Sequence, residues 1–400
     1  MFKRIALSAA AVAAVACLSV SVANATPLMI VGFNDEANTV YGNQDWSLPL
    51  MAQLHTQLLR VNLYWGGARG VATRQPANPA DPADPAYNWR VYDHFVRAAA
   101  HYGINVMFTI VFTPKWANGG RAQNVAPTTT AGWNALRGFA EAAAVRYSGV
   151  YTPPPSQQDP TDATSGQPLP FVHYWTAWNE PNNPIFLSPQ WSKFRGKWRI
   201  QSAVNYAKIC NFIYAGVHSA PVGGEKVACG VTAPRGNDAP TSIRPSSDPM
   251  SFMRAAKSAG LKTFDAYAHH PYYGFKTEAP TYVPPKRDRT HTIQLGNINI
   301  LIAQMSKLWP GRKPLWITEY GYQTTPDRIF GVSYAKQAAY LTQAFLIARK
   351  NPRIGMMLWF LLKDDSNIPN GWQSGLFTNA GAKKPAFNAF EKTAALFIHR

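Results

Sequence analysis

The chain of 400 residues is 46% hydrophobic and 13% aromatic, and its 39 Lys and Arg outnumber 21 Asp and Glu, giving a formal charge of +18. That length suits one large barrel or two medium domains. The charge raises nucleic acid, an anionic membrane or an acidic polysaccharide as partner. The basic residues are scattered, however, with no run of five and no basic stripe, which argues against nucleic acid.

Residues 1–25 read as an export signal. Lys3 and Arg4 form its positive end, 5–22 is apolar and small, and Ala23-Asn24-Ala25 has the small-x-small form of a cleavage site. Cys17 follows Ala14-Val15-Ala16, but the apolar stretch continues beyond it, a poor lipoprotein signal. Removal would leave 375 residues with a charge of +16. No later run is long and apolar enough for a stable membrane insertion. A secreted monomer, extracellular or periplasmic, is therefore expected.

The remaining chain alternates short apolar runs with longer helix-like segments. Eight strands are expected at 28–33, 57–64, 104–111, 172–177, 226–231, 263–268, 315–318 and 355–360. Their Val, Ile, Leu and Phe content fits strands buried on both faces. Helix-like stretches follow, most clearly 92–101, 132–147, 189–217, 290–308 and 334–350, with 385–397 closing the ring. Eight such units point to a single-domain (β/α)8 TIM barrel over 26–400. Proline-rich loops at 75–87 and 283–289 follow strands and should flank the catalytic face. The loop 151–170 precedes a strand and should lie on the opposite face. Of the cysteines past residue 25, Cys210 lies in a helical stretch and Cys229 in the next strand-like run. They form either one disulfide or two buried thiols.

In such a barrel the chemistry sits where strands end. Two segments stand out there: Trp178-Asn179-Glu180-Pro181 after the fourth strand and Thr318-Glu319-Tyr320-Gly321 after the seventh. Two carboxylates on one rim are what glycosidic cleavage needs, one protonated to release the leaving group and one ionised to attack or to activate water. The other strand ends offer Asp35 and Glu36, Arg60, Asn62 and Trp65, Thr113 and Trp116, Arg235, His269 and His270 with Tyr272 and Tyr273, then Trp359, Lys363 and Asp364. Carboxylates, amide, imidazole, phenol and indole suit a sugar site better than a nucleotide site. No metal or other cofactor is expected, because His269-His270 lacks a third ligand at suitable spacing.

The Asn179-Glu180-Pro181 motif, the later Thr318-Glu319-Tyr320-Gly321 and the intervening His270-Pro271-Tyr272 resemble the retaining glycoside hydrolases of clan A. Thr113-Pro114-Lys115-Trp116-Ala117 and Trp178-Asn179-Glu180-Pro181-Asn182 look most like families 39 and 5. The resemblance implies that Glu180 is the acid/base and Glu319 the nucleophile, with carboxyl groups about 5–5.5 Å apart. It implies that Arg60 partners Glu319, that Asn179 binds the sugar 2-hydroxyl, and that His269 or His270 with Tyr272 contacts the sugar or the nucleophile. Trp359 resembles a tryptophan that floors the central sugar site, and Trp65, Trp116 and Trp372 are candidates for stacking on further sugars. For each of these tryptophans a core position is the competing reading.

The expected activity is hydrolysis of O-glycosidic bonds in a poly- or oligosaccharide, with an acidic glycan suggested by the charge. A transglycosylase would use the same glutamates. A non-catalytic glycan-binding barrel would be expected to lack one of them.

Overall fold

The computed structural model describes residues 29–367 and 371–398. The expected export signal at 1–25 lies outside the described residues. In chain order the elements are β1 (Ile30–Asn34), α1 (Gln44–Gln53), β2 (Leu58–Tyr64), α2 (Arg90–His101), β3 (Asn105–Val111), α3 (Thr130–Arg146), β4 (Tyr174–Ala177), β5 (Trp191–Phe194), β6 (Lys197–Ile200) and α4 (Gln201–Val217). There follow β7 (Lys226–Thr232), α5 (Pro249–Ser258), β8 (Ala266–His269), α6 (Ile298–Leu308), β9 (Leu315–Tyr320), α7 (Tyr334–Arg349), β10 (Ile354–Phe360) and α8 (Pro385–Ala394). Eight strands close a parallel barrel in the order β1-β10-β9-β8-β7-β4-β3-β2, while β5 and β6 pair only with each other. This is the (β/α)8 barrel expected from the sequence.

Two helix expectations need correction. The stretch 189–217 is not one helix: its first part is the antiparallel hairpin β5–β6, and α4 begins only at Gln201. The hairpin turns through Arg195 (φ 50°) and Gly196 (φ 76°). Two consecutive positive φ values give the primed turn that matches strand twist. The period-two alternation of Trp191, Lys193 and the residues between them belongs to a ribbon, and the long apolar pattern of α4 masked it. Likewise 290–308 becomes helical at a short 3-10 turn, Leu295–Asn297, before α6.

Helix starts are chemically marked. Asp248 caps α5 by accepting from the amides of Met250 and Ser251, with Pro249 at the first helical position. Ser333 caps α7 and Thr129 caps α3 in the same way.

The wall has two faces with different tasks. Val31, Phe33, Leu59, Val61, Phe108, Ile110, Met357 and Trp359 pack outward against the helices in the main core. Leu58, Met107, Ala228, Ala266, Ala268, Trp316, Met356 and Leu358 form a separate apolar plug inside the barrel. Further along five of the strands the inward positions become polar: Arg60, Thr109, Thr176, His270 just beyond β8, and Thr318. The alternation of a strand therefore builds an apolar floor beneath a polar mouth. Gly32 permits the close approach of β1 to β2, since a Cβ there would collide with the Leu58 carbonyl. Cys210 on α4 and Cys229 on β7 are disulfide-bonded, with Cα atoms 6.0 Å apart. Both are fully buried, tying that helix to the wall beneath it.

Candidate active site

The first carboxylate is delivered by a sharp turn. Leaving β4, Trp178 takes φ 67° and Glu180 φ 34°. Such left-handed conformations are disfavoured for side chains this large and persist where the surroundings impose them. Trp178 is held by its amide to the Ile110 carbonyl and by its indole N–H to the Phe186 carbonyl, at 2.9 and 2.7 Å. Asn183 then donates to Glu180 Oε2 at 3.1 Å. The sequence reading did not single out Asn183. Its position three residues beyond the glutamate, in a turn, was the available signal.

The second carboxylate is aimed by a register irregularity. Ile317 pairs with Met357, but Tyr320 pairs with Trp359, so β9 carries one residue more than β10 between these points. Two residues on one strand opposite one on the other make a bulge, a device common beside active sites. Strict alternation would turn Glu319 outward once Trp316 and Thr318 point in. The bulge lets both Thr318 and Glu319 reach interior partners.

Arg60 organises the mouth. Its guanidinium is 1% exposed, and each nitrogen has a partner: Nη1 donates to Glu319 Oε1 at 2.6 Å, Nη2 to Asn179 Oδ1 at 2.7 Å and Nε to Thr109 Oγ1 at 2.8 Å. Thr109 in turn meets Thr176 Oγ1 at 2.6 Å. With Oδ1 taken by Arg60, the Asn179 amide has its N–H groups left for a ligand. Tyr272 donates its hydroxyl to Glu319 Oε2 at 3.2 Å. Burial alone would raise the Glu319 pKa. The charges of His270 and Arg60 and the hydrogen bonds from Arg60 and Tyr272 outweigh it and hold the carboxyl below its ordinary range. Burial and the nearby Glu319 and Glu180 charges push the Tyr272 phenol well above 10, so it remains a neutral donor.

The paired histidines separate by strand parity. His270 follows the inward positions Ala266 and Ala268; its Nδ1 lies 3.1 Å from Glu180 Oε1 and 3.6 Å from Glu319 Oε2, while Nε2 meets Thr318 Oγ1 at 3.0 Å. His269 points the other way, between Thr232 Oγ1 at 2.8 Å and the Ile293 carbonyl at 3.0 Å. Burial depresses its pKa to about 3 and keeps it neutral. It belongs to the packing of the wall and not to the carboxylate cluster, a correction to its candidacy.

The tryptophans divide similarly. Trp359 is fully buried on the helix-facing side, with its indole N–H on the Ser374 carbonyl at 2.9 Å. It offers no ring face to a sugar; the inward neighbour Phe360 occupies the mouth instead. Trp65 is also fully buried, and Trp116 stands edge-on to it at 5.7 Å, lining a groove of about 410 Å³ beside residues 75–80. Trp372, 38% exposed, lies 5.2 Å from the Tyr272 ring and edge-on to Phe360 at 5.3 Å. It is the tryptophan of this group that joins the carboxylate cluster through its neighbours. Asp35 accepts from the Asn38 and Leu362 amides, burial raising its pKa to about 6, and Asp364 pairs with Lys384 at 2.6 Å. Both hold loops together.

The result is a compact acid–base constellation: one oxygen from each of Glu180 and Glu319 and one nitrogen of His270 all lie within 4.8 Å of one another. The three groups also have a metal-ligand composition, which the sequence reading missed because Glu180 and Glu319 are distant from His270 in the chain. Arg60 already supplies positive charge to Glu319 and would repel a cation there. A second such cluster, Asp238, Asp248 and His291, is engaged in capping α5 and bracing its loop.

Compared by sequence, the chain matches no protein-family model and no curated protein. Solved structures do match. A family 39 glycoside hydrolase from the gut symbiont Bacteroides cellulosilyticus WH2 aligns over 93% of this chain and 64% of its own, with 19% identity and a TM-score of 0.60. A GH5_18 from Bifidobacterium longum subsp. infantis aligns over 94% and 80%, at 14% identity and a TM-score of 0.56. One of two fungal β-1,4-galactanases aligns over 91% of this chain and 99% of its own, at 14% identity and a TM-score of 0.55. The chain thus spans just under two thirds of the family 39 enzyme and nearly all of the galactanase. At these identities the common property is the barrel: this chain has the (β/α)8 fold of glycoside hydrolases resembling those that its glutamate motifs suggested.

Proposed function

We propose that the protein is a retaining glycoside hydrolase acting on a β-linked poly- or oligosaccharide outside the cytoplasm. The observation that carries this reading is the closeness of the Glu180 and Glu319 oxygens, within 4.8 Å, with Glu319 anchored by Arg60 at 2.6 Å. Such closeness fits the carboxyl separation of about 5–5.5 Å used for covalent double displacement, which leaves no room for an intervening water.

In the first step Glu319 attacks the anomeric carbon while Glu180 protonates the departing oxygen. In the second, Glu180 takes a proton from water, which attacks the same carbon and releases Glu319. Arg60 keeps the nucleophile ionised and aimed, and Tyr272 steadies its other oxygen. The Asn179 amide N–H faces the sugar 2-hydroxyl. His270 lies beside both carboxylates and fixes their spacing. The structural neighbours, among them a glucosidase and β-1,4-galactanases, are compatible with a glycoside substrate. Export rests on the composition of residues 1–25.

The test is reducing-end release from neutral and acidic polysaccharides by the wild type, Glu180→Gln and Glu319→Gln. Loss of release in both variants supports the mechanism, and turnover surviving in either overturns it. Formation of transfer products with no net gain of reducing ends, lost in the same variants, would assign transglycosylation to the same pair.

A further inference from the structure

The hairpin β5–β6 stands apart from everything that the barrel requires. It pairs with no other strand. At its base, Gln190 donates to the carbonyl of Pro181, the residue after Glu180, at 2.9 Å, and Trp191 donates to the Ser246 carbonyl at 3.2 Å. The ribbon therefore rises from the β4–α4 connection, on the rim that carries the carboxylates.

Its tip is exposed, aromatic and cationic. Phe194 and Trp198 are 53% and 45% exposed. Lys193 lies directly opposite Trp198 with its ammonium 5.3 Å from the ring, and Arg199 covers Phe194 at 4.6 Å. Arg195 and Lys197 complete the tip. The alternation that hides these four cations in the linear sequence gathers them on one short ribbon. Among the described residues none of the four is within ion-pair distance of a carboxylate, and the sequence has no Asp or Glu from Pro181 to Gly224. Such uncompensated charge repels itself, and large exposed rings add nothing to the core.

We propose that this hairpin is a docking arm for an acidic polysaccharide, stacking sugar rings on Phe194 and Trp198 and pairing sugar carboxylates with the four surrounding cations. The inference rests on the glycosidase reading for the identity of the chain and deepens it by naming the substrate class. Cations on both faces suit a flexible polyanion that winds past the ribbon. The two rings project from opposite faces, so they form no single apolar wedge of the kind that enters a lipid surface. The tie to Pro181 sets a chain bound there beside groups suited to glycosidic bonds, which favours a glycan over nucleic acid.

The experiment is affinity electrophoresis of the full chain in gels containing polygalacturonate, hyaluronan or carboxyl-reduced polygalacturonate. Phe194→Ser/Trp198→Ser and Lys193→Gln/Lys197→Gln are run beside the wild type. Retardation by at least one polyuronate, weakened about tenfold in each double variant, lost on carboxyl reduction and relieved by salt, is expected. Turnover of small aryl β-glycosides should not change in either variant. Absence of retardation by both polyuronates, or equal retardation of all three proteins, overturns the arm. So does tighter hairpin-dependent binding to phosphatidylglycerol vesicles or duplex DNA. Failure of the glycosidase reading is separable: Glu180→Gln and Glu319→Gln would then leave turnover intact, while the retardation still reports on the hairpin.

Discussion

Arg60 on β2 and Glu319 on β9 meet inside the barrel mouth at 2.6 Å, the guanidinium fully enclosed by protein. A buried carboxylate without that partner would face the full desolvation penalty, so the pair decides whether Glu319 is an ion at working pH. Arg60→Met should lower kcat/KM by about 10²–10³-fold, the scale of losing one preorganised electrostatic partner. Glu319 is held below its ordinary pKa in the wild type, so activity should persist into acid and fall only as pH drops through that depressed value. In Arg60→Met the acid limb of the kcat/KM profile should move to higher pH. A profile unmoved by the substitution would show that Arg60 does not set this ionisation.

Removing the hydroxyl of Tyr272 leaves its ring against Trp372 but deprives Glu319 Oε2 of a donor. Tyr272→Phe should reduce kcat by about tenfold or more and shift the acid limb upward by less than Arg60→Met does, one neutral hydrogen bond being weaker than a buried charge pair. Thermal stability should change little, since the ring packing survives. Steady-state kinetics across pH, with a melting curve, checks both parts.

The adjacent histidines should separate cleanly. His270→Gln should impair turnover by at least tenfold through loss of the contact between both carboxylates. His269→Gln should leave the kinetics near wild type and alter stability instead. For His269 the folded pKa of about 3 lies below its ordinary value of 6.5. The unfolded chain therefore binds more protons between those values. The stability this contributes is present above about pH 6.5 and lost progressively as pH falls toward 3, amounting to about 5 kcal/mol at most. Urea midpoints measured from pH 7 to 4 should fall less steeply in His269→Gln than in the wild type.

The Cys210–Cys229 bond closes a separation of 19 residues. Cys229→Ala should lower unfolding stability by about 3 kcal/mol, most of it through the freer unfolded chain. A thiol assay on the denatured, unreduced chain from residue 26 onward should detect no free thiol, and two per chain after reduction. Kinetic constants should be unaffected in Cys229→Ala, because the bond ties helix to wall away from the mouth.

Much of the architecture is local information and can be read in the chain. Each barrel strand is a short run buried on both faces, and Glu180 follows one such run within a recognisable Asn-Glu-Pro turn. Arg60 is paired with Glu319 through the family resemblance, because Leu58-Leu59-Arg60-Val61-Asn62 has no clean alternation that marks a face. The difficulties arise where alternation breaks or competes. Trp359 was expected in the mouth, but its parity places it outside the wall, and Phe360 takes the inward position. The hairpin 191–200 was concealed because its apolar residues merge with the pattern of α4, and only the φ values of Arg195 and Gly196 reveal the reversal. Asn183 and Thr318 gave little signal, since small polar residues are common in turns and strand ends.

The sequence by itself determined the eightfold alternation, the two glutamates after the fourth and seventh strands, and the pair of cysteines able to bond. These arise from hydrophobic periodicity and residue chemistry within a few positions. Only the tertiary structure decided which histidine faces inward, that Glu319 reaches Arg60, and that four alternating cations share an exposed ribbon. Each of those depends on register between strands remote in the chain. A bulge of one residue in β9 reverses the facing of the residues beyond it, and its position is set by hydrogen bonding to β10, which no local pattern encodes.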